Sequence, residues 1–243
     1  MGILRFVFLA IIILAAAWTD QMMSRNSPLS PTPLSPALTA CMARFDALPL
    51  GADSARLVEL NALADWTTDQ LLASGSASLT FICTHNSRRS HMAHLWTAAA
   101  AAHFGLTGVH AYSGGTEATA FNERTVAALT RSGFRIEAET DGNNPVYRVR
   151  WSDGHAGERC FSKRYTDPVN PAQGFAAIMT CGEADAECPL VFGSAVRFAV
   201  PYLDPKTSDG SPEEAAAYDA RSEQIGREMH HVMSRVAARL VGS

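Results

Sequence analysis

The sequence lacks the features that mark several large classes of protein. It has no apolar run of 18 residues or more, which excludes a protein with several membrane-spanning helices. It has no excess of basic residues, because 20 Lys and Arg residues stand against 24 Asp and Glu residues for a net charge of −4, whereas a general nucleic-acid binder needs a basic face. It has only five cysteines among 243 residues, and this small odd number does not indicate a disulfide scaffold.

What the chain does contain is enough apolar material for a folded core. Apolar residues make up 47% of the sequence and charged residues 18%, proportions that exclude wholesale disorder. The length predicts one to two domains. The composition therefore indicates a mildly acidic globular protein without nucleic acid as a partner.

An unbroken apolar run near the N-terminus, residues 6–18 with the sequence FVFLAIIILAAAW, follows Arg5 and closes on small residues. This layout is typical of a secretory signal, and the run is too short to span a bilayer comfortably. A different interpretation is that translation starts at Met22 or Met23 and that the leader is never made. We therefore assign residues 1–21 to a leader that is either signal-like or a mis-assigned start, and we expect membrane association only if it is retained.

The rest of the chain divides by composition into three parts. Residues 22–39 are rich in proline and serine, as flexible linkers are. Residues 40–78 carry apolar residues at helical spacing, which predicts one or two helices leading into the fold. Residues 79–243 form the third part, with an insertion at about residues 140–172. The elements predicted there are strand 79–82, helix 91–103, strand 109–112, helix 122–132, strands 175–181 and 196–202, and helix 213–240.

This alternation of strands and helices predicts an α/β fold with a mainly parallel central sheet. Ligands in such folds bind at the carboxyl ends of the strands. Within the insertion, residues 146–151 and 158–163 flank a Ser-Asp-Gly turn and predict a β-hairpin. The basic residues of this hairpin form either an ordinary solvated face or a basic lip beside an anionic substrate.

A short loop between the first strand and the next helix carries the chemistry. It reads CTHNSRRS from Cys83 to Ser90. A loop that wraps onto a helix N-terminus points backbone N–H groups inward, and together with the helix dipole it makes a cradle for a tetrahedral oxyanion and favours the thiolate form of a cysteine. Arg89 can bond two oxygens of the anion, Ser90 can donate to the thiolate, and Asn86 can pin the loop. The residues expected to bind the oxyanion are Thr84, His85, Asn86, Ser87, Arg88 and Arg89.

Residues 79–236 resemble the low-molecular-weight phosphotyrosine phosphatase superfamily, and more narrowly the thioredoxin-coupled arsenate reductases built on that fold. The resemblance rests on the segments FICTHNSRRSHMA and AYSGGTEAT, on the strand that ends at Cys181 and on the Asp204-Pro205 pair. It implies a three-layer α/β sandwich around a central, mainly parallel sheet, here with an inserted β-hairpin.

The resemblance also assigns roles to single residues. It implies that Cys83 is the nucleophile, Arg89 the oxyanion clamp and Asp204 the general acid that protonates the leaving oxygen. A second Asp-Pro pair, at Asp167, is interpreted as a turn.

Three positions depart from the family pattern. His85 stands where the family usually has a glycine, which raises the question of whether the loop keeps its conformation. Arg88 stands where a second cysteine is common, so a thiol that can protect the nucleophile is missing. His94 stands where the family has an acidic residue that helps to hold potassium in some reductases. We accordingly expect no metal ion and no cofactor.

Two further cysteines, Cys181 and Cys188, separate the possible reactions. A phosphatase needs neither, because water hydrolyses its phospho-cysteine. By the resemblance, a reductase uses three thiols in turn: Cys83 attacks arsenate, Cys181 attacks Cys83 as arsenite leaves, and Cys188 takes over as the partner of Cys181 before thioredoxin reduces that disulfide. The simpler interpretation is two ordinary buried cysteines. Cys41 and Cys160 have no such context and are expected to be structural thiols.

The sequence thus leaves three functions open. The leading hypothesis is reduction of arsenate to arsenite with thioredoxin as the reductant, which belongs in the cytoplasm because that compartment is reducing. The second is hydrolysis of phosphotyrosine or another phosphomonoester. The third is a non-catalytic oxyanion sensor or thiol switch. If the leader is a working signal, the protein is instead exported.

Overall fold

The computed structural model of the chain describes residue 29, residues 31–182, residue 184 and residues 190–242. The leader predicted at residues 1–21 lies outside the described residues. The helices are α1 (Pro36–Ala47), α2 (Ser54–Ser74), α3 (Arg89–Phe104), α4 (Glu123–Ser132) and α5 (Glu214–Val241). The strands are β1 (Ala77–Cys83), β2 (Val109–Gly115), β3 (Arg135–Ala138), β4 (Tyr147–Arg150), β5 (Glu158–Cys160), β6 (Phe175–Met179) and β7 (Ser194–Ala199).

The central sheet has four parallel strands in the order β2-β1-β6-β7. Its register pairs the last residues of β1 and β2, Cys83 and Gly115. Alternate residues of β6 face different apolar clusters: Ala176 and Ile178 belong to the main core, whereas Ala177 belongs to a smaller cluster that also contains Cys83. The sheet is therefore covered on both faces, and the predicted α/β fold with a parallel central sheet is confirmed.

Helices flank this sheet and enclose the main core. Helix α3 packs on β1 and β2, and α5 packs against α2, α3 and α4. Leu38 of α1 and Leu60 of α2 are fully buried in the same core, so the helical lead-in is packed against the rest of the fold. Helix α1 begins at Pro36, inside the range predicted as linker, because the Ser35 hydroxyl accepts a hydrogen bond from the Leu38 N–H at 3.3 Å and caps the helix.

The start of α3 also differs from the prediction. The helix begins at Arg89, two residues before the predicted start at residue 91. The arginine therefore lies in the first helical turn, where the positive end of the helix dipole adds to its own charge. Gly105 closes the helix in the left-handed conformation that glycine adopts without strain.

The insertion forms a second, antiparallel sheet in the order β3-β4-β5. Strands β4 and β5 make the predicted hairpin, and β3 adds a strand that the sequence analysis missed. The arginines do not form a basic lip, because acidic groups beside β3 pair with them: Arg148 and Arg159 contact Glu139, and Arg150 contacts Glu137 at 2.9 Å. These ion pairs hold the pKa of Glu139 below its usual value, chiefly through its hydrogen bond from Arg148.

No helix in the part of the chain that the structure describes combines the length and the apolarity needed to cross a membrane.

Candidate active site

The loop predicted to bind an oxyanion lies at the carboxyl end of the central strand. Cys83 ends β1 and Arg89 begins α3, so residues 84–88 make the turn between them. Cys83 is 4% exposed. The arrangement puts the cysteine at the base of the loop and the N-terminus of a helix beside it, as the spacing of the motif predicted.

Ser90 and Asn86 form a hydrogen-bonded chain to the sulfur. The Ser90 hydroxyl lies 3.1 Å from Cys83 Sγ and accepts a hydrogen bond from Asn86 Nδ2 at 2.9 Å. Because the amide occupies an acceptor site of the hydroxyl, the hydroxyl proton is free to point at the sulfur. This geometry suits stabilisation of a thiolate at Cys83.

Asn86 is also the residue that shapes the loop. Its φ is 45°, and it is the one non-glycine residue with positive φ in the described part of the chain. Its Oδ1 accepts a hydrogen bond from the Lys163 N–H at 3.0 Å, and the neighbouring His85 carbonyl accepts one from Ser162 Oγ at 2.8 Å. The left-handed conformation is therefore adopted by Asn86, a residue type that tolerates it. His85, which replaces the family glycine, does not have a positive φ and is not strained in this way.

Gly114 and Gly115, at the end of β2, allow the chain to approach the loop closely. A Cβ atom on Gly115 would lie 2.6 Å from Thr84 O and 2.8 Å from Asn86 N. A Cβ atom on Gly114 would lie 2.3 Å from the Cα of Tyr165. A larger residue at Gly115 would clash with the loop and one at Gly114 would clash with Tyr165, which explains the glycine pair within the AYSGGTEAT segment.

Arg89 and Asp204 face each other across the site. Arg89 Nη2 lies 2.7 Å from Asp204 Oδ2, and Nη1 donates to the Tyr202 carbonyl at 3.0 Å. Arg89 Nε is buried and has no hydrogen-bond partner among the described residues. The side chain of Asp204 is 30% exposed and caps the short 3₁₀ turn that follows, through the Lys206 N–H at 3.0 Å. The structure therefore brings together the predicted clamp and the predicted acid.

The side chain of Arg88 points away from the loop. Its Nε donates to Tyr218 Oη at 2.7 Å, and Tyr218 Oη in turn donates to Asp209 Oδ1 at 2.8 Å. The Arg88 guanidinium is thus bound to α5 and to the segment before it, and its Nε also lies 3.9 Å from Asp204 Oδ1. Burial raises the pKa of the Tyr218 hydroxyl to about 12. Sequence analysis missed Tyr218 and Asp209 because neither belongs to a motif.

Cys181 lies beside the loop. Its Sγ is 3.6 Å from Thr84 Oγ1 and accepts a hydrogen bond from the Ala184 N–H at 3.3 Å. Cys181 is fully buried and belongs to the same apolar cluster as Cys83. The second cysteine of the predicted relay, Cys188, lies outside the described residues.

Comparison with known proteins assigns the chain to a family. Residues 78–144 match the family profile of low molecular weight phosphotyrosine protein phosphatases. The arsenate reductase of Bacillus licheniformis is 30% identical over 147 residues, which cover 60% of this chain and 87% of that protein. The chain belongs to the low molecular weight phosphotyrosine protein phosphatase family. Its members and relatives are arsenate reductases and phosphatases, so the protein is an enzyme of one of these two kinds.

Two solved structures align with the chain. The low molecular weight phosphotyrosine phosphatase of Vibrio cholerae aligns with 65% of this chain and 95% of its own, at 13% identity and a TM-score of 0.43. The thioredoxin-dependent arsenate reductase of Corynebacterium glutamicum aligns with 72% of this chain and 70% of its own, at 22% identity and a TM-score of 0.38.

The histidines near the family loop do not form a single positive cluster. The side chain of His85 is half exposed and lies 3.6 Å from a carboxylate oxygen of Glu117. His91 is fully buried and stacks on Phe121 with ring centroids 3.9 Å apart. Burial lowers the pKa of His91 well below its usual value, so this ring is neutral and adds no positive charge to the loop.

The structure also describes the surroundings of Asp167, Cys41 and Cys160, the other positions that the sequence analysis of this phosphatase family member discussed. Asp167 makes the predicted turn, accepting a hydrogen bond from the Val169 N–H at 3.1 Å. Cys41 is half-buried on α1, and burial raises the pKa of its thiol. Cys160 is buried at the end of β5, where burial raises its pKa to about 12. Both are free thiols.

Proposed function

We propose that the protein reduces arsenate to arsenite through Cys83, Cys181 and Cys188, with thioredoxin as the reductant. The observation that carries this proposal is the buried thiol of Cys181, which shares an apolar cluster with Cys83 and lies 3.6 Å from the hydroxyl of the adjoining Thr84. Hydrolysis of a phospho-cysteine has no use for a second thiol there, whereas a reductase requires one.

The oxyanion binds first, in the loop of residues 84–89. Its charge is met by the N-terminus of α3 and by the guanidinium of Arg89, whose buried Nε has no other acceptor among the described residues. The Arg89 contact with Asp204 keeps the acid within reach of an oxygen on the same anion. The pair of Arg89 and Asp204 therefore supports both the binding of the oxyanion and the delivery of a proton to it.

The first covalent step forms a bond between Cys83 Sγ and arsenic. The thiolate, stabilised by the Ser90 hydroxyl, attacks arsenic, and one arsenate hydroxyl takes a proton from Asp204 and leaves as water. Arsenic remains in its pentavalent state in this adduct. The step parallels the formation of a phospho-cysteine, which is why the two chemistries share one loop.

The second step transfers electrons. The thiolate of Cys181 attacks Cys83 Sγ, the sulfur–arsenic bond breaks, and its electron pair stays on arsenic, which leaves as trivalent arsenite. The thiolate of Cys188 then attacks Cys181, which frees Cys83 as a thiolate. A thioredoxin dithiol finally reduces the Cys181–Cys188 disulfide, so two electrons pass from thioredoxin to each arsenate.

Arsenate-dependent oxidation of reduced thioredoxin tests this proposal. The wild-type protein and Cys41→Ser should be active, because Cys41 lies on α1 and takes no part in the relay. Cys83→Ser, Cys181→Ser and Cys188→Ser should each abolish turnover. Full turnover in Cys181→Ser or Cys188→Ser would contradict the relay, and full turnover in Cys83→Ser would contradict the whole site.

Phosphomonoester hydrolysis is the second candidate, and the 2.7 Å contact between Arg89 and Asp204 favours it. The clamp and the acid suffice for this reaction, with Asp204 acting first as acid and then as base. Aryl-phosphate hydrolysis that survives in Cys181→Ser, without any arsenate-dependent oxidation of thioredoxin in the wild type, would identify a phosphatase. Absence of both reactions alongside phosphate binding would identify a sensor.

The relay also bears on where the protein works. A pathway that ends at thioredoxin needs a reducing compartment, so we infer a cytoplasmic protein whose catalytic part is residues 79–243. The N-terminus of the protein isolated from cells tests this inference. A start at Met1, Met22 or Met23 supports it, whereas a processed, exported form that begins just after residue 17 contradicts it.

A further inference from the structure

A cluster of metal-ligating side chains lies behind the loop, between α3 and the inserted sheet. His91 and His94 are one turn apart on α3, and Cys160 ends β5. One ring nitrogen of each histidine and the sulfur of the cysteine lie within 4.8 Å of one another. The three residues are 0%, 5% and 1% exposed, so no side chain of this cluster is solvated at the surface.

Each histidine has one ring nitrogen held in place and one without a partner. Ser113 Oγ lies 3.3 Å from His91 Nδ1, and Glu158 Oε2 lies 2.7 Å from His94 Nε2. The opposite nitrogens, His91 Nε2 and His94 Nδ1, are buried and have no hydrogen-bond partner among the described residues. Two buried nitrogens without partners cost free energy, and this observation itself indicates a ligand.

The contact with Glu158 also sets the protonation of the ring. The Glu158 carboxylate is an acceptor only, so Nε2 of His94 carries the hydrogen that it donates to Glu158, which leaves the lone pair on Nδ1. Histidines that bind metals are usually held this way, with the second nitrogen donating to a carboxylate or another oxygen. Glu158 and Ser113 are therefore in the positions of groups that orient metal ligands.

We propose that His91, His94 and Cys160 bind a zinc ion through Nε2, Nδ1 and Sγ. Imidazole and thiolate are the ligands that zinc prefers. A tetrahedral zinc ion holds such atoms about 3.3–3.6 Å apart, so ligand atoms of these residues that lie within 4.8 Å of one another must close by no more than about 1.5 Å. Binding replaces the thiol proton of Cys160, which leaves to solvent, and no electron is transferred.

The fourth ligand is water from an adjoining cavity. A cavity of about 540 Å³ is lined by His94, Glu158, Lys163 and Tyr112, among others, and gives a path for entry. The negative charges of the Cys160 thiolate and the Glu158 carboxylate balance the two positive charges of the ion. Burial lowers the pKa of the nearby Lys163 amine, which reduces the electrostatic repulsion between this amine and a bound cation. The ion would crosslink α3 to the inserted sheet. The first turn of α3 is the part of the helix proposed to bind the oxyanion.

Cobalt titration of the full-length, untagged, chelator-treated protein tests the site. One equivalent of Co²⁺ should give a thiolate-to-cobalt charge-transfer band, and Zn²⁺ should displace it. The band should vanish in Cys160→Ser, with zinc affinity reduced at least 100-fold, and should persist in Cys41→Ser. A band that persists in Cys160→Ser, or that vanishes in Cys83→Ser or Cys181→Ser, would overturn the proposal, as would the absence of one-to-one binding.

A second variant guards against a folding defect. Glu158→Gln keeps the three ligands but weakens the orienting contact, so it should bind zinc about 10–100-fold less tightly while keeping the charge-transfer band. Zinc should raise the thermal midpoint of the wild type but not that of Cys160→Ser or His94→Gln. An equal zinc-induced rise in these two variants would contradict the site even if the cobalt spectra were ambiguous.

Discussion

Arg89 Nη2 lies 2.7 Å from Asp204 Oδ2, so the clamp of the oxyanion loop and the proposed general acid are in direct contact. The two residues are 115 positions apart in the sequence, and the parallel sheet brings them together at the carboxyl ends of β1 and β7. This contact orients the Arg89 guanidinium, and Nε of the same side chain is buried without a hydrogen-bond partner among the described residues.

Loss of the acid should slow catalysis without removing anion binding. Asp204→Asn should lower kcat for aryl-phosphate or arsenate turnover by about 10²-fold or more, since an asparagine cannot donate the proton. Steady-state kinetics measures this. Asp167→Asn is the matched control, because the other Asp-Pro pair only makes a turn. A loss of kcat in Asp167→Asn with Asp204→Asn unaffected would reverse the assignment.

The two neighbouring arginines should differ in their effects. Arg89→Lys loses the paired donors and should weaken inhibition by inorganic phosphate about 10–100-fold, the range for hydrogen bonds to a charged group. Arg88→Lys should weaken this inhibition less than Arg89→Lys does and should lower the thermal midpoint, because the Arg88 guanidinium is bound by Tyr218 and Asp209 and lies farther from Asp204, at 3.9 Å. Equal effects of both substitutions on phosphate inhibition would contradict the distinction.

The conformation of Asn86 makes a prediction about stability. Asn86→Ala loses the hydrogen bonds to Ser90 and Lys163 and also strains a residue with a φ of 45°. Asn86→Gly loses the same bonds without the strain, so it should be less destabilised, by about 1 kcal/mol. Urea unfolding measures the difference. If the two variants are equally stable, the positive φ is not a feature of the folded loop.

Stability should fall as the solution becomes more acidic. Burial lowers the pKa of His91, His230 and His231, so the folded state binds fewer protons than the unfolded state once the pH drops towards the unfolded value of about 6.5. A histidine that stays neutral when folded costs about 1.4 kcal/mol at pH 5.5. Urea midpoints in chelator should therefore decrease from pH 7.5 to 5.5.

A pair of variants isolates this effect. His230→Gln removes one of the buried rings and should flatten the pH dependence, whereas His85→Gln, at a half-exposed position, should leave it as in the wild type. A pH dependence that is flat in the wild type, or unchanged in His230→Gln, would contradict the assignment.

Local patterns predicted the structure of the loop well. The spacing between Cys83 and Arg89, together with the polar residues between them, predicts a strand, a loop and a helix that follow one another in the chain. Asn86 and Ser90 make hydrogen bonds of the kind expected from the sequence: Ser90 Oγ lies 3.1 Å from Cys83 Sγ, and Asn86 Oδ1 accepts from the Lys163 N–H. Cys83 and Ser90 are only a few positions apart in the chain, so a short sequence motif can include both partners.

Contacts between distant segments were not predictable in the same way. Strand β3 has four residues and little apolar alternation, so its pairing with β4 depends on the packing of the insertion. The link from Arg88 to Tyr218 joins the loop to α5, and the approach of Cys160 to His91 depends on where the inserted sheet packs. Neither Tyr218 nor Cys160, the distant partner in each of these contacts, stands in a motif.

The central claim is that electrons reach arsenate through Cys83 and Cys181, and trapping the first disulfide tests it most directly. Cys188→Ser is reduced, freed of reductant, mixed with arsenate, alkylated and analysed by peptide mass mapping. The account predicts a disulfide between Cys83 and Cys181 and one arsenite released per protein molecule. Both thiols alkylated after arsenate treatment, with no arsenite formed, would contradict it.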